Sequence, residues 1–342
     1  MKNKVFNFFV VLGKIGVVLL PLLLIGFIAL FWFKKNFQSP VDYKATNKTK
    51  FAIEAGATLD QIAKNLENKK LVNSAYAFKW FAKKQKNKKI SAGEYSISAS
   101  QTPKSIVLSL LSGKTINYTL EIKPCQTIKE ISESISKINL LTKEEAFDAF
   151  KNPRLMSELG IPAYIPEGYL IEGKYEFNKP RAPEELIKKL LNQSKVALDK
   201  KIPKWIDRAD ELGYRPYEIL VLASLIDKEA GESSTELAAI SSVYHNRLKI
   251  GMQLQSKKAL RYGVPDLKEE ISDNDMLEET PYNTFINIGL PPTPICSASA
   301  ASIYAALFPA ETDSLYFLKN KDGRVEYSTS FKEHQSKLKA QN

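Results

Sequence analysis

The sequence predicts an α+β chain with an N-terminal transmembrane helix, two related small α+β modules, and a C-terminal, mainly helical domain carrying a few strands. Three observations predict it: a long uncharged run near the N-terminus, an internal duplication between residues 51 and 195, and a change of texture at about Val196. The expected divisions are a tail at 1–14, an anchor at 15–35, a linker at 36–50, modules at 51–115 and 116–195, and a final domain at 196–342.

From Ile15 to Phe33 no residue is charged, and as a helix this run is about 28 Å long, close to the hydrocarbon thickness of a bilayer. The run ends in Phe31-Trp32-Phe33 and is stopped by Lys34-Lys35 without a small-residue cleavage site, which favours an anchor over a cleaved signal peptide. Flanking lysines do not set its orientation, because Lys2, Lys4 and Lys14 precede it while Lys34, Lys35, Lys44, Lys48 and Lys50 follow it. Residues 36–50, polar from Val41 to about Lys50, read as a linker leaving the membrane.

Shifting the chain by 69 positions lays Phe51-Ala52-Ile53 over Leu120-Glu121-Ile122, Thr58 over Thr127, Ile62 over Ile131 and Leu66 over Ile135 without a gap. A shift of 80 matches Gly93-Glu94-Tyr95 to Gly173-Lys174-Tyr175 and Pro103 to Pro183. Each copy reads as a strand, a helix opened by a Thr cap, a second helix, a Gly-x-Tyr strand and a Pro-started helix. The first copy, through Glu54-Ala55-Gly56-Ala57-Thr58-Leu59-Asp60-Gln61-Ile62-Ala63, resembles the opening of a LysM domain, a small glycan-binding fold. A plain structural spacer is the alternative reading.

The chain has 342 residues, of which 44% are hydrophobic and 25% charged, enough to bury real cores. Its formal net charge of +11 calls for an anionic partner or surface. The excess is carried by lysine runs such as Lys83-Lys84-Gln85-Lys86 with no Arg-rich aromatic stripe, so no nucleic-acid partner is expected. Cys125 and Cys296 pair only if the fold brings them together. His245 and His334 form no metal-spaced cluster, and neither a nucleophile elbow nor a phosphate-cradling glycine loop is present, so no metal or cofactor is expected.

In the last domain, Leu222-Ala223-Ser224-Leu225-Ile226-Asp227-Lys228-Glu229-Ala230 reads as a helix with Ile219, Leu222, Ala223, Ile226 and Ala230 on one stripe. Glu229 falls roughly 75° from the stripe's centre, Asp227 flanks the other side near Ser224, and Lys228 is expected to face water. A carboxylate among apolar neighbours holds its proton to higher pH, which suits a general acid for glycosidic bond cleavage. A Glu paired with Arg or Lys at the core's rim is the alternative. A second helix is expected from about Thr235 to a stop at Gly251, followed by a shaped loop from Pro281 to Ile295, rich in Asn, Pro and Gly.

Four ordered motifs carry a resemblance. They are Ala223-Ser224-Leu225-Ile226-Asp227-Lys228-Glu229-Ala230, the run from Val243-Tyr244-His245-Asn246-Arg247 to Gln253-Leu254-Gln255-Ser256, Tyr282-Asn283-Thr284 with Gly289-Leu290-Pro291-Pro292, and Leu315-Tyr316-Phe317. Through them the chain resembles the membrane-anchored endolytic murein transglycosylases, the YceG-like family. That resemblance implies cleavage of the β-1,4 bond between N-acetylmuramic acid and N-acetylglucosamine with closure of a 1,6-anhydro ring. It places the catalytic acid at Glu229 and makes Asn246, Gln255, Tyr282, Asn283 and Thr284 candidates for holding sugar. It also implies peptidoglycan glycan strands as partner, a single-pass anchor in the cytoplasmic membrane with the bulk of the chain outside, and cell-wall synthases or divisome proteins as further partners. The chain departs from the family at Gly168-Tyr169-Leu170-Ile171-Glu172-Gly173-Lys174-Tyr175, where relatives read Gly-Phe-Leu-Phe-Pro-Asp-Thr-Tyr. It departs again at Lys257-Lys258-Ala259, where they read Asp-Pro-Thr, so a recast groove is expected. Two other readings stay open: a muramidase in which Asp273 or Asp275 activates water, and a non-catalytic wall-binding anchor.

Overall fold

The computed structural model describes residues 23–85, 89–231, 236–267, 271–320 and 324–341. The chain forms two compact units that divide after Asn117.

The first unit begins, among described residues, with a helix at 23–33 whose large apolar side chains, Leu23 to Phe33, are exposed. This is the described part of the expected anchor; residues 15–22 and the expected tail at 1–14 lie outside the described residues. No helix among the described residues is long and apolar enough to cross a membrane. A wide helical turn, Lys34–Gln38, buries Phe37 among the rings of Phe33, Tyr76, Trp80 and Phe81. The Asn73 amide donates to the carbonyls of Lys35, Ser39 and Pro40. The start of the expected linker is therefore packed down, because an aromatic and a carbonyl cluster fix residues that look polar in sequence.

The first module then runs β1 (Thr49–Ile53), α1 (Leu59–Asn68), α2 (Ala75–Lys84), β2 (Gly93–Ile97) and α3 (Pro103–Leu111). Alternation puts Phe51 and Ile53 inward on β1, and the helical period brings Ile62 and Leu66 of α1 down on them. A capping box between Thr58 and Gln61 starts α1. β1 and β2 pair antiparallel with Phe51 opposite Tyr95.

The second unit opens with β3 (Tyr118–Ile122), α4 (Ile128–Lys137), α5 (Lys143–Phe150), α6 (Pro153–Glu158) and β4 (Gly173–Phe177). The offset of 69 carries β1 onto β3 and α1 onto α4 end to end, and the offset of 80 carries β2 onto β4. Leu120 stands opposite Tyr175 as Phe51 stands opposite Tyr95. The tyrosines even spend their hydroxyls alike, Tyr95 donating to the carbonyl of Ser91 and Tyr175 to that of Ile171.

Helix α7 (Pro183–Lys201) crosses the expected boundary at 195 without a break and leads into α8 (Trp205–Glu211), α9 (Pro216–Ala230), α10 (Leu237–Lys249) and α11 (Lys257–Gly263). A long irregular loop follows, then α12 (Ala300–Leu307), the hairpin β5 (Tyr316–Lys319) and β6 (Val325–Ser328), and α13 (Phe331–Gln341). Helix α9 is the axle, packed against α8, α10, α11 and α12. Cys125 and Cys296, 171 residues apart, form a disulfide with their Cα atoms 4.8 Å apart. Beside it the Cys125 N–H donates to the Ser297 carbonyl and the Ser297 N–H to that of Gln126, each at 2.8 Å. The second module is thus stapled to the loop that precedes α12.

Candidate functional site

Helix α9 starts at Pro216, whose fixed φ suits the first helical position, and stops at Gly231, which takes φ 63°. From Ile219 to Asp227 every residue is buried, so the helix is enclosed on all sides instead of showing the single apolar stripe expected. Its two ends emerge, and Glu229 sits in the last turn, part-exposed beside a cavity of about 950 Å³.

The Ser256 hydroxyl donates to Glu229 Oε1 at 2.8 Å and also accepts the N–H of Ala259 as the cap of α11. The phenol of the buried Tyr244 lies near the carboxylate and helps to draw its pKa down. Burial raises the Glu229 pKa, and Ser256, Lys258, Tyr244 and Lys257 pull against that rise. A hydroxyl can donate to the ionised form and accept from the protonated one, so Ser256 can support Glu229 in either state. Glu229 makes no ion pair with a described residue, which disposes of the paired-Glu alternative. It is also the one carboxylate among the described residues that line the cavity.

Its neighbours on α9 have other duties. Asp227 is buried and accepts the Ser299 N–H at the start of α12; burial raises its pKa too. Lys228 does not simply face water: its ammonium donates to the Cys125 carbonyl at 3.1 Å, beside the disulfide.

Gln255 lines the cavity with Glu229 and takes a left-handed φ of 55°. Its N–H donates to the Thr284 carbonyl, and the Ser256 N–H to the Thr284 hydroxyl at 2.8 Å. Thr284 is buried, so it braces the Gln255-Ser256 turn from behind and does not face the cavity. The other three expected sugar contacts lie elsewhere. The fully buried Asn283 amide donates to the carbonyls of Met276 and Glu278 while its oxygen accepts from the Phe285 N–H, all inside one loop. Asn246 donates to the carbonyls of Thr312 and Ser314 and borders a separate cavity of about 760 Å³ with His245 and Tyr217. The Tyr282 hydroxyl meets Thr293 at 2.7 Å and its ring packs on Tyr262. Asn and Gln serve loops as readily as sugars, and in these positions the amides tie loops together.

Sequence reasoning passed over Ser256, Tyr244 and Arg247. Tyr244 and Arg247 are three residues apart and therefore share a face of α10, whereas Asn246 points elsewhere. Arg247 donates to the carbonyls of Leu315, Leu254 and Gln253, joining the approach to β5 with the turn that carries Gln255. The two departures from the family pattern also separate. Lys257 and Lys258 line the cavity. Glu172 instead binds Lys201 and accepts the Ala300 N–H at the head of α12, so the 168–175 segment is not groove lining. Asp273 and Asp275 do not line the cavity either, and Asp275 accepts the N–H and hydroxyl of Ser272. Among the described residues no cluster of His, Cys, Asp and Glu could hold a metal ion.

Against known proteins, a YceG-like family model matches residues 51–340. An endolytic murein transglycosylase of Bacillus subtilis is 28% identical over 321 residues, covering 89% of this chain and 88% of that protein. One from Streptococcus pneumoniae is 28% identical over 327 residues, covering 86% of this chain and 58% of the longer relative. The crystal structure of a yceG-like protein from Listeria monocytogenes superposes with a TM-score of 0.56 at 29% identity, covering 85% of this chain and 99% of that one.

Proposed function

We propose, from the premise that this chain belongs to the YceG-like family, that it is an endolytic murein transglycosylase with Glu229 as its catalytic acid. The observation that carries the residue assignment is the one carboxylate among the described residues lining an open cavity, in no ion pair with a described residue and held by the Ser256 hydroxyl. Protonated Glu229 gives its proton to the bridging oxygen as the muramyl C1 becomes oxocarbenium-like and the glycosidic bond breaks. The carboxylate so formed removes the proton from the C6 hydroxyl of the same sugar, whose oxygen bonds to C1 and closes the 1,6-anhydro ring. No water is consumed and Glu229 ends protonated, ready for another turnover.

A hydrolytic muramidase would activate water with a second carboxylate, and the described lining of the cavity offers none, which favours the internal nucleophile. Gln255 is positioned to hold an N-acetyl group, and Phe285 and Phe331 offer apolar ring surface to the pyranose units. In the first module a cavity of about 390 Å³ at the Gly56 turn, lined in part by Glu54, Gln61 and Asn65, suits a second grip on the glycan, as the LysM-like order of β1, α1, α2 and β2 suggests.

The exposed apolar helix at 23–33, together with the uncharged sequence from Ile15, supports a single-pass anchor with the rest of the chain outside the cytoplasmic membrane. The Cys125–Cys296 disulfide suits that oxidising side.

Replacing Glu229 with Gln keeps the hydrogen-bonding shape but removes the transferable proton. The variant should retain its melting temperature and lose release of anhydro-ended muropeptides by about a hundredfold or more, read by mass spectrometry of product ends. Undiminished anhydro products would remove Glu229 from the reaction, and hydrated reducing ends from the parent protein would replace the transglycosylase reading with a muramidase.

A further inference from the structure

The wall of the cavity beside Glu229 is far more cationic than a neutral sugar backbone requires. Lys228 and Arg247 reach it from α9 and α10, Lys257, Lys258 and Arg261 from α11, and Lys319 from β5. Two of these charges are already committed to holding the fold: Lys228 to the Cys125 carbonyl and Arg247 to three carbonyls of the neighbouring turns. Lys257 and Lys258 are different. Both are exposed and neither makes an ion pair with a described residue. Two exposed cations at the rim of a reaction cavity, ion-paired to no described residue and acting on Glu229 only through space, point to a ligand of opposite charge. Ser256, which fixes the start of α11, also holds Glu229, so the two lysines are placed within one helical turn of the residue that grips the acid.

Resting on the transglycosylase reading, we infer that Lys257 and Lys258 form a carboxylate-recognition subsite beside the scissile bond, which selects glycans whose muramyl lactyl arm carries negative charge. The shared chemistry is a carboxylate next to the sugar being cleaved. It has two sources: the lactyl group itself when no peptide is attached, and the acidic residues and C-terminus of the stem peptide when one is. Lysine suits this role as a mobile point charge that can follow a flexible arm, where a bidentate Arg would demand one geometry. The subsite would choose the substrate without taking part in bond cleavage, so these are specificity residues.

The test uses the full chain in detergent micelles with Glu229→Gln, so that ligands bind without being cut and effects of the lysines on the acid are silent. Affinity is measured for three probes of equal length: peptide-bearing glycan strands, the same strands stripped of peptide, and a neutral chito-oligosaccharide. Adding Lys257→Ala and Lys258→Ala should weaken binding of carboxylate-bearing probes about tenfold, flatten their salt dependence, and leave the neutral probe's ranking unchanged. Loss on peptide-bearing strands alone assigns the carboxylate to the stem peptide, whereas equal loss on stripped strands assigns it to the lactyl group. The Arg pair, Lys257→Arg with Lys258→Arg, should restore most of the affinity. Equal loss on all three probes, or no loss on any, overturns the inference. Because cleavage plays no part in these measurements, they fail independently of the Glu229 assignment, which stands or falls on anhydro ends.

Discussion

The two copies of the duplicated module differ most instructively at one turn. Gly56 in the first copy and Cys125 in the second occupy equivalent positions and both take left-handed backbone, with φ of 79° and 57°. Both turns lead into a Thr-started capping box, Thr58 with Gln61 and Thr127 with Glu130. In the first copy the turn is made by the residue that adopts it at least cost, and it borders an open cavity. In the second a side chain is forced into the same conformation, and that side chain is a cysteine joined to Cys296 next to the helix that bears the candidate acid. One inherited frame thus supplies an open pocket in one place and an anchoring point in the other, and the change turns on what a single left-handed position carries.

Converting the second turn to the first is the most disruptive way to probe this. Cys125→Gly relaxes the backbone but removes the crosslink across 171 residues, and the oxidised protein should lose about 2–4 kcal/mol of stability. The check is thermal unfolding with and without reductant: the parent should melt lower when reduced and the variant should not respond. A variant as stable as the oxidised parent would reduce the staple to a coincidence of proximity.

A second difference lies one residue past the caps. In the second copy the first-turn N–H of Ile128 donates to both oxygens of Glu167, whose carboxylate also accepts from the Tyr262 hydroxyl. Burial raises the Glu167 pKa to about 7, against the Ile128 and Tyr262 hydrogen bonds that lower it. Because the folded pKa lies above the unfolded one, this group's stabilising contribution is complete below about pH 4.5 and fades as pH rises through about 7. The change amounts to at most about 3 kcal/mol. Unfolding free energy measured from pH 4 to 8 should show this decline, and Glu167→Gln should flatten it; an unchanged slope in the variant would place the effect on another group.

The smallest effect is expected in the first copy. Gly56→Ala meets no atom within 4 Å of the new Cβ, so its cost is confined to the backbone conformation, about 1 kcal/mol. Denaturant titration should show it as a shifted midpoint at constant slope. A loss several times larger would mean that the Gly56 turn is packed as its counterpart is.

Much of this architecture could be read from residue order because it is periodic or repeated. The offset of 69 predicts β3 and α4 from β1 and α1, and the alternation of Phe51 and Ile53 predicts which face is buried. What escaped depends on long-range meetings. Nothing local says that Cys125 and Cys296 will touch, that Lys228 will turn to the Cys125 carbonyl, or that Phe37 will be covered by Tyr76 and Trp80. The position of Glu229 at the end of an apolar helix could be read from residue order, whereas the loop carbonyls that Asn246 and Asn283 bind could not, because an amide's partners are set by the fold. The lysines at 257 and 258 were visible as oddities, but only their place on the cavity wall gives the oddity a meaning.

The sulfur bridge also has a mechanical consequence. It closes residues 125–296 into a covalent ring, and a pull on the two ends of the chain passes through the sulfur atoms without stretching what lies between. Glu229, Tyr244, Gln255 and Ser256 are all inside that ring, so tension drawn along the polypeptide would unravel the flanking segments and leave the acid and its Ser256 support in register.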